Sequence, residues 1–198
     1  ATATATATTE PTATATATAE PFAEKVVITP SEADLGVTVN NTVTVTASVT
    51  DQYGNEMKDA VVTYASDNTE KATVDEKGVV TAKAEGVANI TATVGEGDKA
   101  ISSKACVITI DGTAPKTTTT AVTDYKTITV NFNEVVTGTP DVAVYKNSAK
   151  TAMTGITATL AADGKSLIVT ADKYEAGDYD IVINGLKDKA GNALEKDT

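Results

Sequence analysis

An all-β fold of two tandem β-sandwiches is what the sequence predicts, and three observations carry it. Apolar residues recur at every second position in segment after segment, and no run holds the 3.6-residue period of an amphipathic helix. Gly, Asn and Asp cluster between those segments at the spacing of hairpin turns. The length of 198 residues suits two sandwich modules of about 100 residues each. The expected organisation is a linker over residues 1–21, a first domain over 22–111 and a second over 112–198.

Residues 1–21 are Thr and Ala in near-strict alternation, interrupted by Glu10-Pro11 and Glu20-Pro21. No side chain there before Phe22 is large enough to offset backbone ordering, which costs about 1–2 kcal/mol per residue. An extended, disordered linker is expected. The first domain then opens on a strand over 26–29, stopped by Pro30 as an edge strand allows. Residues 42–49 alternate cleanly and place Val43, Val45, Ala47 and Val49 inward. The turn 51–55 (D-Q-Y-G-N) leads into a strand over 60–65 that carries Tyr64. Residues 72–94 organise this domain, pairing 72–74 with 79–83 around the turn D-E-K-G, where Gly78 supplies a positive φ. After the corner at Gly86, residues 87–94 turn Ala88, Ile90, Ala92 and Val94 to the core. A final strand over 100–110 is expected to keep Ala100, Cys106, Ile108 and Ile110 in one inward phase. Cys106 reads as a small core residue, since the chain has neither Arg nor His to stabilise a thiolate.

The junction 111–115 (D-G-T-A-P) is too short for wide swinging, so a stiff tandem is expected. In the second domain, strands are predicted over 126–132 (Ile128, Val130 and Phe132 inward), 141–145, 155–160, 166–170 and 178–183. The turn 162–165 (A-D-G-K) separates the third from the fourth.

The stretch V-D-E-K-G-V-V-T-A at 74–82, with G-V-A-N-I-T-A-T at 86–93, resembles the bacterial immunoglobulin-like group 2 module of surface proteins and adhesins. Tyr64 stands where that family usually carries Trp. The stretches I-T-V-N-F-N-E-V-V at 128–136 and G-L-K-D-K-A-G-N-A-L at 185–194 resemble the Ig-like module first described in surface-layer proteins of bacilli. That resemblance implies one further strand beyond Leu194, so the second domain is expected to lack its last strand. The Thr/Ala/Pro tract resembles linkers of Gram-positive cell-surface and cellulosomal proteins, whose threonines are commonly O-glycosylated. Together these resemblances imply a segment of a secreted bacterial surface or cell-wall protein.

Chemistry is scarce. The net charge is −11, and every basic residue is Lys, a balance that repels phosphate backbones and argues against nucleic acid as a partner. No apolar run approaches the roughly 20 residues that span a bilayer. Without His there is no Ser-His or Cys-His pair, and one Cys supports neither zinc nor an internal disulfide. Carboxylate pairs for glycoside hydrolysis occur by chance in an acidic chain, but small sandwiches without long loops build no cleft for them. The Gly-containing turns precede no helix and so lack a phosphate-binding context. The expected function is a non-catalytic structural or spacer segment, with neighbouring modules or lattice copies of the parent protein as partners. The alternative is an adhesin-like or carbohydrate-binding module that takes a cell-wall polymer or polysaccharide. Sugar platforms use exposed aromatics; Tyr64 and Tyr179 fall at core phases, which leaves Tyr53, Tyr125, Tyr145 and Tyr174 for exposure.

One site is expected at the junction. In an up-and-down sandwich the entrance to the second domain lies beside the loops carrying Glu134 and the turn 188–192 (D-K-A-G-N). The exit of the first domain at Asp111 lies near the loop of Asp67. Asp111, Glu134, Asp188, Asn192 and Asp67 are therefore candidate oxygen ligands for a calcium ion, which takes about 6–8 oxygens at about 2.3–2.6 Å.

Overall fold

The computed structural model describes residues 19–196, and apart from one 3₁₀ turn at Gly97–Lys99 its regular elements are all β-strands. The expected linker therefore lies, but for residues 19–21, outside the described residues.

In the first domain, β1 (Ala23–Thr29) buries Val26 and Ile28 and pairs antiparallel with β4 (Thr46–Asp51). Beyond Pro30 the chain crosses to the other layer as β2 (Glu32–Leu35). The alternating run 42–49 is divided at Val45 into β3 (Thr42–Thr44) and β4. At the break the Val45 N–H donates to the Gly78 carbonyl at 2.8 Å. The second layer begins with β5 (Val62–Ser66). Residues 72–94 supply β6 (Ala72–Val74), β7 (Val79–Ala82) and β8 (Gly86–Val94). Asp75 Oδ1 closes the hairpin by accepting from the N–H groups of Lys77 (2.9 Å) and Val79 (2.8 Å). One layer holds β1–β4 and β3–β7–β6; the other runs β2–β10–β8–β5, where β10 is Cys106–Ile110 and pairs parallel with β2. Between them Val45, Val80, Ala88, Ile90, Ala92 and Ile108 are fully buried. Each large aliphatic side chain buried in this way contributes about 1.5–3 kcal/mol. Cys106 is also fully buried, and that burial, with Glu32 nearby, pushes its thiol pKa up.

The single strand expected over 100–110 is in fact two, β9 (Ile101–Ser102) and β10. Ser103 N–H donates to the Ala92 carbonyl at 2.8 Å while its Oγ accepts from the Ala92 N–H at 3.0 Å, so the chain is anchored one residue out of phase. An extra residue before Cys106 restores the inward phase, in the manner of a bulge, and Ala100 is left exposed instead of inward.

The second domain is built from β11 (Thr117–Asp124), β12 (Thr127–Phe132), β13 (Thr137–Lys146), β14 (Thr157–Leu160), β15 (Ser166–Thr170) and β16 (Tyr179–Lys187). One sheet runs β11–β12–β15–β14 and the other is β13–β16. Ile128, Val130, Val144, Leu167, Val169 and Leu186 form its core, separate from that of the first domain. Tyr174, expected to be exposed, is buried: its ring meets Tyr179 edge-on with centroids 5.1 Å apart. The Tyr174 N–H donates to the Tyr125 carbonyl at 2.6 Å, which draws the loop after β15 down over the end of the core.

Gly78 is the position where turn chemistry is most exacting. Its φ is +78°, and a Cβ there would lie 2.2 Å from the Val45 carbonyl oxygen beside it at the end of β3. Gly78→Ala is expected to destabilise the first domain by about 1–3 kcal/mol through strain at this position. Urea titration of the full chain, followed by a probe in the first domain, measures it.

Candidate functional site

The junction gathers three carboxylates from three loops. Asp111 directly follows β10, Glu134 lies between β12 and β13, and Asp188 opens the turn after β16. One carboxylate oxygen from each lies within 4.8 Å of those from the other two; Asp188 is buried and the other two are half-buried. None of them takes part in an ion pair among the described residues, where the paired acids are Glu195, Glu175 and Asp34. Burial above all, and then the proximity of Asp111 and Asp188, holds the Glu134 carboxyl above its usual range, although the Asn133 amide pulls the other way. Three hard carboxylates without a paired cation, and no sulfur or imidazole, are a cluster that could hold a Ca²⁺- or Mg²⁺-type ion.

Asp188 is held by its own turn. Its Oδ1 accepts from the N–H groups of Gly191 (2.7 Å) and Asn192 (2.8 Å), and its Oδ2 accepts from Asn192 Nδ2 at 2.8 Å. A related five-residue turn occurs at Asp51, whose Oδ1 accepts from the N–H groups of Tyr53, two residues on rather than three, and Asn55 (2.8 Å each) and whose Oδ2 accepts from Asn55 Nδ2 at 3.1 Å. Both aspartates are buried, and in both turns the Asp N–H returns to the Asn carbonyl, at 2.9 Å in the first and 3.0 Å in the second. The D-x-x-G-N turn is thus a self-sufficient unit that sets Asp188 in place.

Asn192 carries the tie between domains. Its Nδ2 also donates to the carbonyls of Asp111 (2.8 Å) and Thr113 (3.4 Å). Through this nitrogen Asn192 acts as a bracket between the Asp188 turn and the connection. Asp67 is not among the three gathered carboxylates. It accepts from the Asn89 N–H at 2.8 Å and Asn89 Nδ2 at 2.7 Å, bonds that hold its carboxyl below the usual range.

Several joint residues carried no signal in the sequence. Glu85 Oε1 accepts from the Gly112 N–H and the Thr113 hydroxyl, each at 3.2 Å. Lys189 pairs with Asp34 at 2.7 Å, and Asn40 Nδ2 reaches the Ala190 carbonyl at 3.5 Å. The Asp111 N–H donates to the Leu35 carbonyl at 2.9 Å, the Glu195 N–H to the Pro115 carbonyl at 2.8 Å, and the Lys116 N–H to Asn133 Oδ1 at 2.6 Å. Pro115 is fully buried, and a Cβ on Gly112 would lie 2.8 Å from Val37 Cγ2. Few backbone groups in this short connection are left to move independently.

The aromatic residues do not gather into a platform. Tyr53 is exposed on the first domain and Tyr125 on the second, Tyr145 is half-buried, and Tyr174 is buried.

A carboxyl whose folded pKa is raised binds its proton more readily in the folded than in the unfolded chain. Its contribution to stability is complete below the unfolded pKa and is lost as pH rises through the folded value. For Glu134 that loss begins near the ordinary value of 4.5 and extends upward. In chelator, Glu134→Gln is expected to raise the melting temperature of the second domain at neutral pH and to flatten its decline above that value. Thermal unfolding across a pH series reads both.

A family model for the bacterial Ig-like domain (group 2) matches residues 22–105, and one for a bacterial Ig-like domain matches residues 104–198. No curated protein sequence matches the chain. Among solved structures, domains 4 and 5 of the S-layer protein SbsC are 22% identical, with 87% of this chain and 97% of that one covered and a TM-score of 0.40. A longer stretch of SbsC is also 22% identical over 87% of this chain, which spans only 27% of it, with a TM-score of 0.41. SGBP-B of the Bacteroides ovatus mixed-linkage glucan utilization locus, solved with a mixed-linkage heptasaccharide, is 20% identical, with 87% of this chain and 48% of that one covered and a TM-score of 0.28. Both matching families are Ig-like folds typical of non-catalytic modules. The chain belongs to the bacterial Ig-like domains, carrying a group 2 domain followed directly by a second bacterial Ig-like domain.

Proposed function

We propose that the chain is a non-catalytic spacer or structural segment of a secreted bacterial surface-layer or modular cell-wall protein, and that its joint is fixed by calcium. The observation that supports this most is the joint itself. Asn192 Nδ2 from the second domain donates to two carbonyls of the connection, and Glu85 from the first domain accepts from two of its groups. Such a connection holds two sandwiches at one angle, which is what a spacer or a lattice element requires of a tandem. An ion held by Asp111, Glu134 and Asp188 would join the end of the first domain to two loops of the second and offset the repulsion among their charges. Neighbouring modules or lattice copies of the parent protein are the partners of this reading, and the bacterial cell surface is its location.

Small-angle scattering on the full chain with calcium, and then with chelator, tests the joint. The expected result is a maximum dimension that is narrowly defined in calcium and broadens in chelator, with Asp111→Ala broad in both. Heat of calcium binding measured by calorimetry should vanish in the same variant. Identical scattering curves in calcium and chelator, together with no binding heat, would remove calcium from the reading; a tandem flexible in both conditions would remove the fixed joint as well.

A further inference from the structure

Each layer of the first domain ends in two edge strands, and three of the four are guarded by charge or by shortness. β1 carries Glu24 and Lys25, β2 carries Glu32 and Asp34, and β6 has only three residues, set between Lys71 and Asp75. Such features keep a free edge from pairing with another chain. β5 has none of them. Its five residues and the two before them, A-V-V-T-Y-A-S over 60–66, hold no charge, no Pro and no Gly. Val61, just ahead of the strand, is 80% exposed, more than any other large apolar side chain among the described residues.

The backbone of β5 is only half used. Ala92 turns its N–H and carbonyl to Ser103 on the far side of β8, so Tyr64, which stands opposite Ala92, makes no ladder bonds to β8. By period two, Val62, Tyr64 and Ser66 aim their N–H and carbonyl groups outward from the sheet, whereas Thr63 and Ala65 bond to β8. Among the described residues β5 pairs with β8 alone. Beside this edge lies a groove of about 570 Å³, lined by residues 61–64 and, from the facing layer, by Val74, Asp75 and Glu76.

We infer that β5 is a pairing edge, and that its occupant is β5 of a second copy of this chain, joined antiparallel about a two-fold axis at Thr63. The neutral run 60–66 is bounded by Asp59 and Asp67, and Thr63 is its midpoint, so this axis lays the two runs over each other. Val62 then exchanges backbone hydrogen bonds with Tyr64 of the second copy. On the outer face Val61 meets Ala65 of the second copy, and the two Thr63 side chains meet as a non-hydrogen-bonded pair, where side chains approach most closely. On the inner face Val62 and Tyr64 of the second copy enter the groove. The bounding acids leave the line of the strand: Asp59 lies in the turn that the Ala60 N–H closes on the Met57 carbonyl at 3.2 Å, and the Asp67 carboxylate is held by Asn89.

Charge selects a second copy for this edge. At a net charge of −11, two copies repel wherever their acidic loops approach, and a neutral edge lets them meet without setting carboxylate against carboxylate. Size agrees. Five paired residues run about 17 Å, a smaller contact than the about 800 Å² per partner of a stable complex, which suits copies held together many times over in an array. The contact is isologous and joins copies in pairs. This deepens the lattice reading of the chain, and because no residue of the joint lies in the run 60–66, it stands or falls apart from the joint.

Sedimentation velocity of the full chain over a wide concentration range, in chelator so that no ion acts at the joint, tests this with Thr63→Asp and Thr63→Lys. Thr63 is exposed, so the monomer tolerates either charge, but on the axis each sets two like charges face to face. The wild-type chain is expected to associate with rising concentration, each variant alone to weaken that association by about tenfold or more, and an equimolar mixture of the two variants to restore it. A wild-type chain that stays monomeric throughout, or association unchanged in both variants, overturns the inference. Loss in both variants without recovery in the mixture overturns β5 of the second copy as the occupant. Association weakened by Thr63→Asp but strengthened by Thr63→Lys assigns the edge to an acidic surface and overturns the two-fold pairing.

Discussion

The buried carboxylate of Asp188 is the constraint from which the relation of the two domains follows. A buried charge is tolerable only when its lone pairs are met, and the D-x-x-G-N turn meets them with two backbone N–H groups and the Asn192 amide. That requirement fixes the turn, and the fixed turn aims the remaining amide hydrogen of Asn192 at the connection between domains. The connection is therefore held by side chains that are themselves held. Exposed contacts such as Lys189 with Asp34 are screened by solvent and refine the arrangement without creating it.

The same geometry creates the electrostatic problem of the joint. Bringing Asp188 to the connection also brings it beside Asp111 and Glu134, three like charges in a partly desolvated place. Proton binding by Glu134 eases that repulsion at low pH, and a hard divalent cation would ease it at neutral pH. A chain without Arg or His has few other means of doing so, since the lysines nearest the joint point elsewhere: Lys116 to Glu195 and Lys189 to Asp34.

Much of this fold was legible because sandwich strands advertise themselves by period two. The strand Ser166–Thr170 lies where alternation puts it, and Ala88, Ile90 and Ala92 face inward as read. The misses have physical causes. β11 escaped notice because T-T-T-T-A-V-T-D, exposed along nearly its whole length, has no apolar alternation to read. The phase slip before Cys106 is set by Ser103 bonding across to Ala92, a partner that spacing cannot reveal. Tyr174 is drawn inward by a loop whose course depends on the Tyr125 carbonyl. At the joint, topology alone placed Asp111, Glu134 and the Asp188 turn at one end of the domain. Glu85, and the donor role of Asn192, depend on angles between domains that no single-chain periodicity encodes.

The parallel pairing of β2 with β10 bears on how the first domain would carry a pulling force. A load applied along the chain enters near β1 and leaves through Asp111 at the end of β10, so β10 is drawn lengthwise past β2. The paired residues run in register from Glu32 with Val107 to Leu35 with Ile110, and they lie along the direction of pull. Hydrogen bonds loaded this way must yield together, whereas a hairpin pulled open from its end gives them up one at a time. Tension then passes from β10 straight into the bracketed connection, which makes the first sandwich and its joint a continuous tie rather than beads on a string.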